Sequence, residues 1–123
     1  MTTPPYSDLQ ALAEDLRRFA DQREWQPFHS PKNLASALIV EAAELLEHFQ
    51  WLRQEESCRL SADQQQEVAH EMADVLIYLT RLADRLGIDL LQAAAEKMAI
   101  NQERFPPLKQ GEQEKGGQDG AKP

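Results

Sequence analysis

The stretch SADQQQEVAHEMADVLIYLTRLADRLG, Ser61 to Gly87, decides the fold. Ser61 with Gln64 three residues later forms a capping box, which opens a helix at that point. Val68, Met72, Val75, Leu79 and Leu86 then repeat at helical spacing as one apolar stripe, and Gly87 supplies the stop. Upstream, Ser30 before Pro31 is a cap with proline at the first helical position, so a second long helix runs from there to about Glu55. Its stripe is Leu34, Leu38, Leu45, Phe49 and Leu52. The first helix is expected from Ser7, as N-cap, to Glu24, on Leu9, Leu12, Leu16 and Phe19. The segment Trp25-Gln-Pro-Phe-His-Ser30 breaks it. Downstream, Asp89 caps a last helix through Ala93, Ala94, Met98 and Ile100, which Pro106-Pro107 ends. The chain carries no strand signal and no internal repeat. It reads as all-α, a four-helix-bundle-like domain over residues 7–107, with a loose N-terminus at 1–6 and a disordered tail at 108–123.

The charge balance narrows the function. Among 123 residues, 13 Lys+Arg stand against 21 Asp+Glu, a formal charge of −8. That argues against a nucleic acid polymer as partner, because such proteins grip phosphates through a basic surface. The tail carries Lys109, Lys115 and Lys122 against Glu112, Glu114 and Asp119, so the acidity belongs to the helical part. Cys58 is the single cysteine and can make neither an internal disulfide nor a thiolate cage; with no basic-then-apolar leader, a reducing cytoplasm is expected. Glu41, Glu44, Asp74 and Arg81 interrupt the longest apolar runs, so no membrane span is expected.

Helical geometry gives the carboxylates a direction. With roughly 100° per residue and Leu34 at zero, Glu41 falls near −20°, His48 near −40°, Glu44 near −80° and Trp51 near −100°. On the Ser61 helix, counted at roughly 100° per residue from Val68, Glu71 falls near −60°, Tyr78 near −80° and Asp74 near −120°. Packing the two stripes together therefore gathers Glu41, Glu44, Glu71 and Asp74 at the margin of the core. None of the four has a Lys or Arg three or four positions away on its own helix. Glu-rich helices are common, and acidic i,i+3 pairs often form a solvated face. Glu41 weighs against that, because an unpartnered carboxylate at an apolar edge is costly to bury without compensation. An oxygen-only set of this kind suits Mg²⁺ or Mn²⁺. Glu47, one turn beyond Glu44, is a further ligand or plain surface. Trp25 and Trp51 could stack on a base or be partial core, and His29 could bind a ligand or cap a turn. Lys97 and Asn101, four apart on the last helix, could meet phosphate and sugar oxygens. Cys58 reads as structural or incidental.

Glu41-Ala-Ala-Glu44 followed by Glu71-Met-Ala-Asp74 resembles the E-x-x-E, E-x-x-D signature of the MazG-type all-α nucleoside triphosphate pyrophosphohydrolases. The blocks from Trp25 to Leu34, Glu44 to Trp51, Asp74 to Leu79 and Lys97 to Asn101 are similar, in the same order, to the dCTP pyrophosphatase branch of that family. The resemblance implies hydrolysis of a nucleoside triphosphate between its α and β phosphates. It also implies Mg²⁺ held by Glu41, Glu44, Glu71 and Asp74. Trp25, His29 and Trp51 would line the base pocket, Asn33 and Tyr78 would lie near sugar or phosphates, and Lys97 and Asn101 would contact the triphosphate. A metal-bound carboxylate, Glu44 or Glu47, would orient or deprotonate the attacking water. Plain dCTP and a modified cytosine nucleotide fit these residues equally, and a broad-specificity hydrolase is the alternative.

Two other classes compete. Glu67-Val-Ala-His70 has the Glu-x-x-His spacing of carboxylate-bridged metal bundles, but such sites use it on two helices and it occurs once here. A noncatalytic helical interaction module would show no metal-dependent turnover. An oligomer is expected in either case, since a helix of about 25 residues, roughly 37 Å long, leaves apolar surface on a domain this small. The resemblance favours a homotetramer over a dimer.

Overall fold

The computed structural model describes residues 5–109. Most of the termini expected at 1–6 and 108–123 lie outside the described residues. The elements are α1 (Leu9–Gln22), a 3-10 turn (Gln26–Phe28), α2 (Pro31–Glu47), α3 (Gln54–Ser57), α4 (Ala62–Leu86) and α5 (Leu90–Arg104). Four long helices match the four expected, and there is no strand among the described residues.

Local chemistry sets the boundaries. Ser61 Oγ accepts from the Gln64 N–H (3.1 Å) while Gln64 Oε1 accepts from the Ser61 N–H (2.8 Å), completing the capping box. Gly87 takes the left-handed conformation, φ 69°, and the Ile88 N–H closes back on the Ala83 carbonyl. Ser30 Oγ caps α2 through the Asn33 N–H. At α1 the cap is Asp8 and not Ser7. The Asp8 carboxylate accepts from the Ala11 N–H at 2.8 Å and adds a negative charge at the positive end of the helix.

The larger correction concerns α2, which ends at Glu47, not near Glu55. The chain tightens after Leu46 into three-residue turns, with Phe49 N–H bonded to the Leu46 carbonyl and Leu52 N–H to the Phe49 carbonyl. Glu56 then reaches back to the Arg53 N–H (2.7 Å) and starts α3. The apolar spacing runs unbroken through His48-Phe49-Gln50-Trp51, so periodicity alone hid a break made by weak helix formers and a new cap.

The described chain divides after Asp89 into two compact units. In the first, α2 and α1 both pack against α4. Leu12, Ala13, Ala20, Leu34, Val68 and Ala83 form its buried core, with Leu34 at 1% exposure. Arg17 on α1 makes a two-point ion pair with Asp84 on α4, at 3.0 and 2.5 Å, and ties those helices. Ile39, Val40 and Leu46 on α2 and Met72 and Leu76 on α4 stay exposed, Ile39 at 67%. The second unit holds α5, with Lys97 exposed and Asn101 half-buried one turn on. No described helix is long and apolar enough to cross a membrane.

Candidate metal centre and adjoining cleft

Each of the two acidic motifs places its carboxylates one helical turn apart, and the packing of α2 on α4 brings the motifs face to face. One oxygen from each of Glu41, Glu44 and Glu71 lies within 4.8 Å of the others. Asp74, a turn further along α4, falls outside that trio but adds its charge to the field on Glu41. Glu41 and Glu71 are half-buried, and each keeps one buried oxygen, Oε2, without a hydrogen-bond partner. The Glu41 carboxyl is pushed up to about 7, first by its hydrogen bond to Glu44, then by burial and by the charges of Glu44, Asp74 and Glu71.

Orphaned buried carboxylate oxygens are rare because they carry a full desolvation cost. Here the two carboxylates that carry them meet in one cluster, and neither pairs with a basic side chain among the described residues. An all-oxygen, anionic cluster of this kind fits a hard divalent cation. Glu47 closes α2 as an exposed residue outside the trio.

The preceding turn of α2 and the following turn of α4 line a cleft of about 340 Å³. Trp25, His29, Asn33 and Tyr78, all expected from sequence, share it with Phe28, Leu34 and Ala37. Ala37 stands one turn before Glu41 and Tyr78 one turn after Asp74, so cleft and acidic cluster occupy consecutive turns of the same helix pair.

Trp25 is placed by the end of α1. Glu24 takes φ 55°, and the Glu24 and Trp25 N–H groups bond back to the Asp21 and Ala20 carbonyls, a Schellman turn built without glycine. The Trp25 ring then meets Phe19 edge-on, with centroids 5.6 Å apart, and tilts over His29 at 5.5 Å. Asn33 donates its side-chain amide to the Phe28 carbonyl at 3.1 Å, which leaves its oxygen for a ligand.

Other expected residues lie elsewhere. Trp51 sits in the turn after α2, 85% exposed, and does not line this cleft. Lys97 and Asn101 belong to the second unit. Of the Glu-x-x-His pair, His70 bonds Gln66 (2.8 Å) and Glu67 lies 3.8 Å from His48, so the two do not form a metal site. Sequence reasoning missed Arg81, which is buried behind the cleft and bonded to His29 and Gln26. The available signal was an arginine flanked by Thr80 and Leu82 with Asp84 three residues on.

Known proteins place this geometry. The chain is 41% identical over 111 residues to dCTP pyrophosphatase 1 of Bos taurus, covering 85% of this chain and 66% of that protein. It is 43% identical over 99 residues to dCTP pyrophosphatase 1 of Homo sapiens, covering 76% and 58%. The chain thus spans less than two thirds of the length of these relatives. The crystal structure of a pyrophosphatase from Archaeoglobus fulgidus superposes with a TM-score of 0.77 at 39% identity, over 87% of this chain and 100% of that one. Residues 37–119, which include both acidic motifs, match the MazG-like family model. By that match and these relatives, the chain belongs to the MazG-like family.

Proposed function

We propose that this chain is a cytoplasmic, Mg²⁺-dependent nucleoside triphosphate pyrophosphohydrolase that converts dCTP, or a modified dCTP, to the monophosphate and pyrophosphate. The observation that carries this reading is the meeting of Glu41, Glu44 and Glu71 within 4.8 Å, with two buried oxygens unpartnered, beside an aromatic cleft. The relatives named dCTP pyrophosphatase 1 support the substrate class.

Glu41, Glu44, Glu71 and Asp74 would hold Mg²⁺, with Mn²⁺ as a substitute. When bound, the cation screens the anionic triphosphate and supports charge on the α-phosphoryl group. Glu44 or Glu47 orients or deprotonates the water that attacks phosphorus in line. Trp25 stacks on the base and His29 hydrogen-bonds it, while Asn33 and Tyr78 hold the sugar side. Lys97 and Asn101 contact the triphosphate, a role that rests on the resemblance. The substrate is a mononucleotide and not a polymer, a reading supported by the formal charge of −8. Ile39, Val40, Leu46, Met72 and Leu76 are covered by copies of the chain, in a homotetramer in preference to a dimer. Assembly is also the route by which Trp51 reaches a base.

The test is pyrophosphate release from a panel of canonical and modified triphosphates, with Mg²⁺ and with EDTA. Metal-dependent preference for dCTP-like substrates is expected. Metal-dependent turnover spread across bases would keep the chemistry and remove the cytosine assignment. No turnover with any triphosphate would overturn the proposal.

A further inference from the structure

Arg81 is 3% exposed, the only charged residue counted as buried among the described residues. Its Nε donates to His29 Nδ1 (3.3 Å), one terminal nitrogen to Gln26 Oε1 (2.9 Å) and the other to Asp84 Oδ2 (3.3 Å). Each anchor is itself held. Asp84 is gripped by Arg17 from α1, Gln26 Oε1 also accepts from Arg85 (3.0 Å), and the Gln26 amide nitrogen donates to Asp21. The guanidinium is therefore fixed in direction from α1, the 3-10 turn and α4 together.

A guanidinium only donates and stays protonated. His29 Nδ1 must then present its lone pair, because a proton there would set N–H against N–H. We infer that Arg81 locks His29 as the neutral Nε2–H tautomer, so that the ring offers the cleft a hydrogen-bond donor and nothing else. Nε2 has no partner among the described residues, and His29 lines the cleft. The His29 N–H closes the 3-10 turn on the Gln26 carbonyl, which fixes the backbone, and the Arg81 bond and the neighbouring Trp25 ring hold the imidazole itself.

The consequence is a rule for recognition. A fixed donor gives its hydrogen bond to a ligand carbonyl oxygen or an unprotonated ring nitrogen and disfavours a ligand N–H at that point. Because the imidazolium form is excluded, His29 brings no positive charge to a phosphate, which suits contact with the base. Arg81 acts through His29 and is a positioning residue. The naming of the ligand as a nucleotide base rests on the proposed function; the tautomer does not.

Long-range ¹H–¹⁵N spectra of the histidine-labelled full chain at pH 7.5 test the tautomer directly, with His29→Asn used to assign its ring. A protonated Nε2 and a bare Nδ1 are expected for His29. Arg81→Met should move both shifts toward the averaged mixture, whereas Arg81→Lys, which keeps a donor and the charge, should restore part of the difference. Gln26→Met removes one anchor and leaves Arg81 in place, so it should loosen the same signature if Arg81→Met does not fold. In turnover, Arg81→Met should raise KM about tenfold with kcat within about twofold. It should weaken inhibition by the nucleoside monophosphate and leave inhibition by pyrophosphate unchanged. A protonated Nδ1 in the unmodified chain would overturn the inference, as would a folded Arg81→Met that keeps both the tautomer and the monophosphate inhibition. Absence of triphosphate turnover by the unmodified chain would instead overturn the proposed function, and the spectra would still decide the tautomer.

Discussion

Helix α4 carries two clusters of charge that are resolved in opposite ways. Near its end, Arg81 and Asp84 are answered within the protein by Arg17, Gln26 and His29. Near its middle, Glu71 faces Glu41 and Glu44 with no cationic side chain paired to them among the described residues and with two orphaned oxygens. A cluster whose opposite charges pair internally holds elements in place. One whose charges add needs a counter-charge that the described residues do not supply. The difference separates positioning from binding without reference to any relative.

The largest expected effect of breaking this contrast is at the acidic end. Glu71→Gln keeps the volume and removes one charge, so pyrophosphate release should fall at least about 100-fold while the metal-free protein stays folded. Retained Mg²⁺-dependent activity would remove Glu71 from the site. At the other end, Asp84→Asn leaves Arg81 buried with neutral partners only. It should cost about 2 kcal/mol in urea unfolding, less than a fully buried pair because Asp84 retains some exposure.

The two clusters should also respond to pH with opposite sign. Glu41 titrates near 7 in the folded state against 4.5 ordinarily, so between those values the folded protein alone holds the proton. Without metal, its contribution is greatest below 4.5 and is lost as pH rises through about 7. Asp84 is held below the usual carboxylate range, chiefly by the Arg17 hydrogen bonds, so its contribution is present at neutral pH and lost as pH falls through its lowered value. Thermal melts in EDTA should show the first slope in the unmodified chain and lose it in Glu41→Gln, whose neutral-pH melt should rise. The second slope should disappear in Asp84→Asn.

The smallest effect sharpens the comparison by leaving both clusters intact. Glu24 sits at φ 55°, where glycine is unstrained, so Glu24→Gly should raise stability by about 0.5–1 kcal/mol. The helix end that places Trp25 would be kept.

Much of this was legible in the sequence because it depends on local rules. Ser30 with Pro31 marks the start of α2, and Ser61 with Gln64 and Gly87 mark both ends of α4, and a fixed angular step then put Glu41, Glu44 and Glu71 on facing flanks. Asn33 and Tyr78 line the cleft for the same reason, being about two turns from Glu41 and Glu71, while Trp25 and His29 reach it from the segment before α2. The break after Glu47 was hidden because apolar spacing does not register a helix that tightens into turns. Arg81 was hidden because the partners that hold it across the fold come from positions 26 and 29, and no helical periodicity links them to 81.

The most direct test of the central claim, that the acidic trio is a cation site, is calorimetric titration of Mg²⁺ into the full chain at pH 7.5 without nucleotide. Saturable binding is predicted for the unmodified chain, lost in both Glu41→Gln and Glu71→Gln. Equal binding by all three proteins would contradict the account.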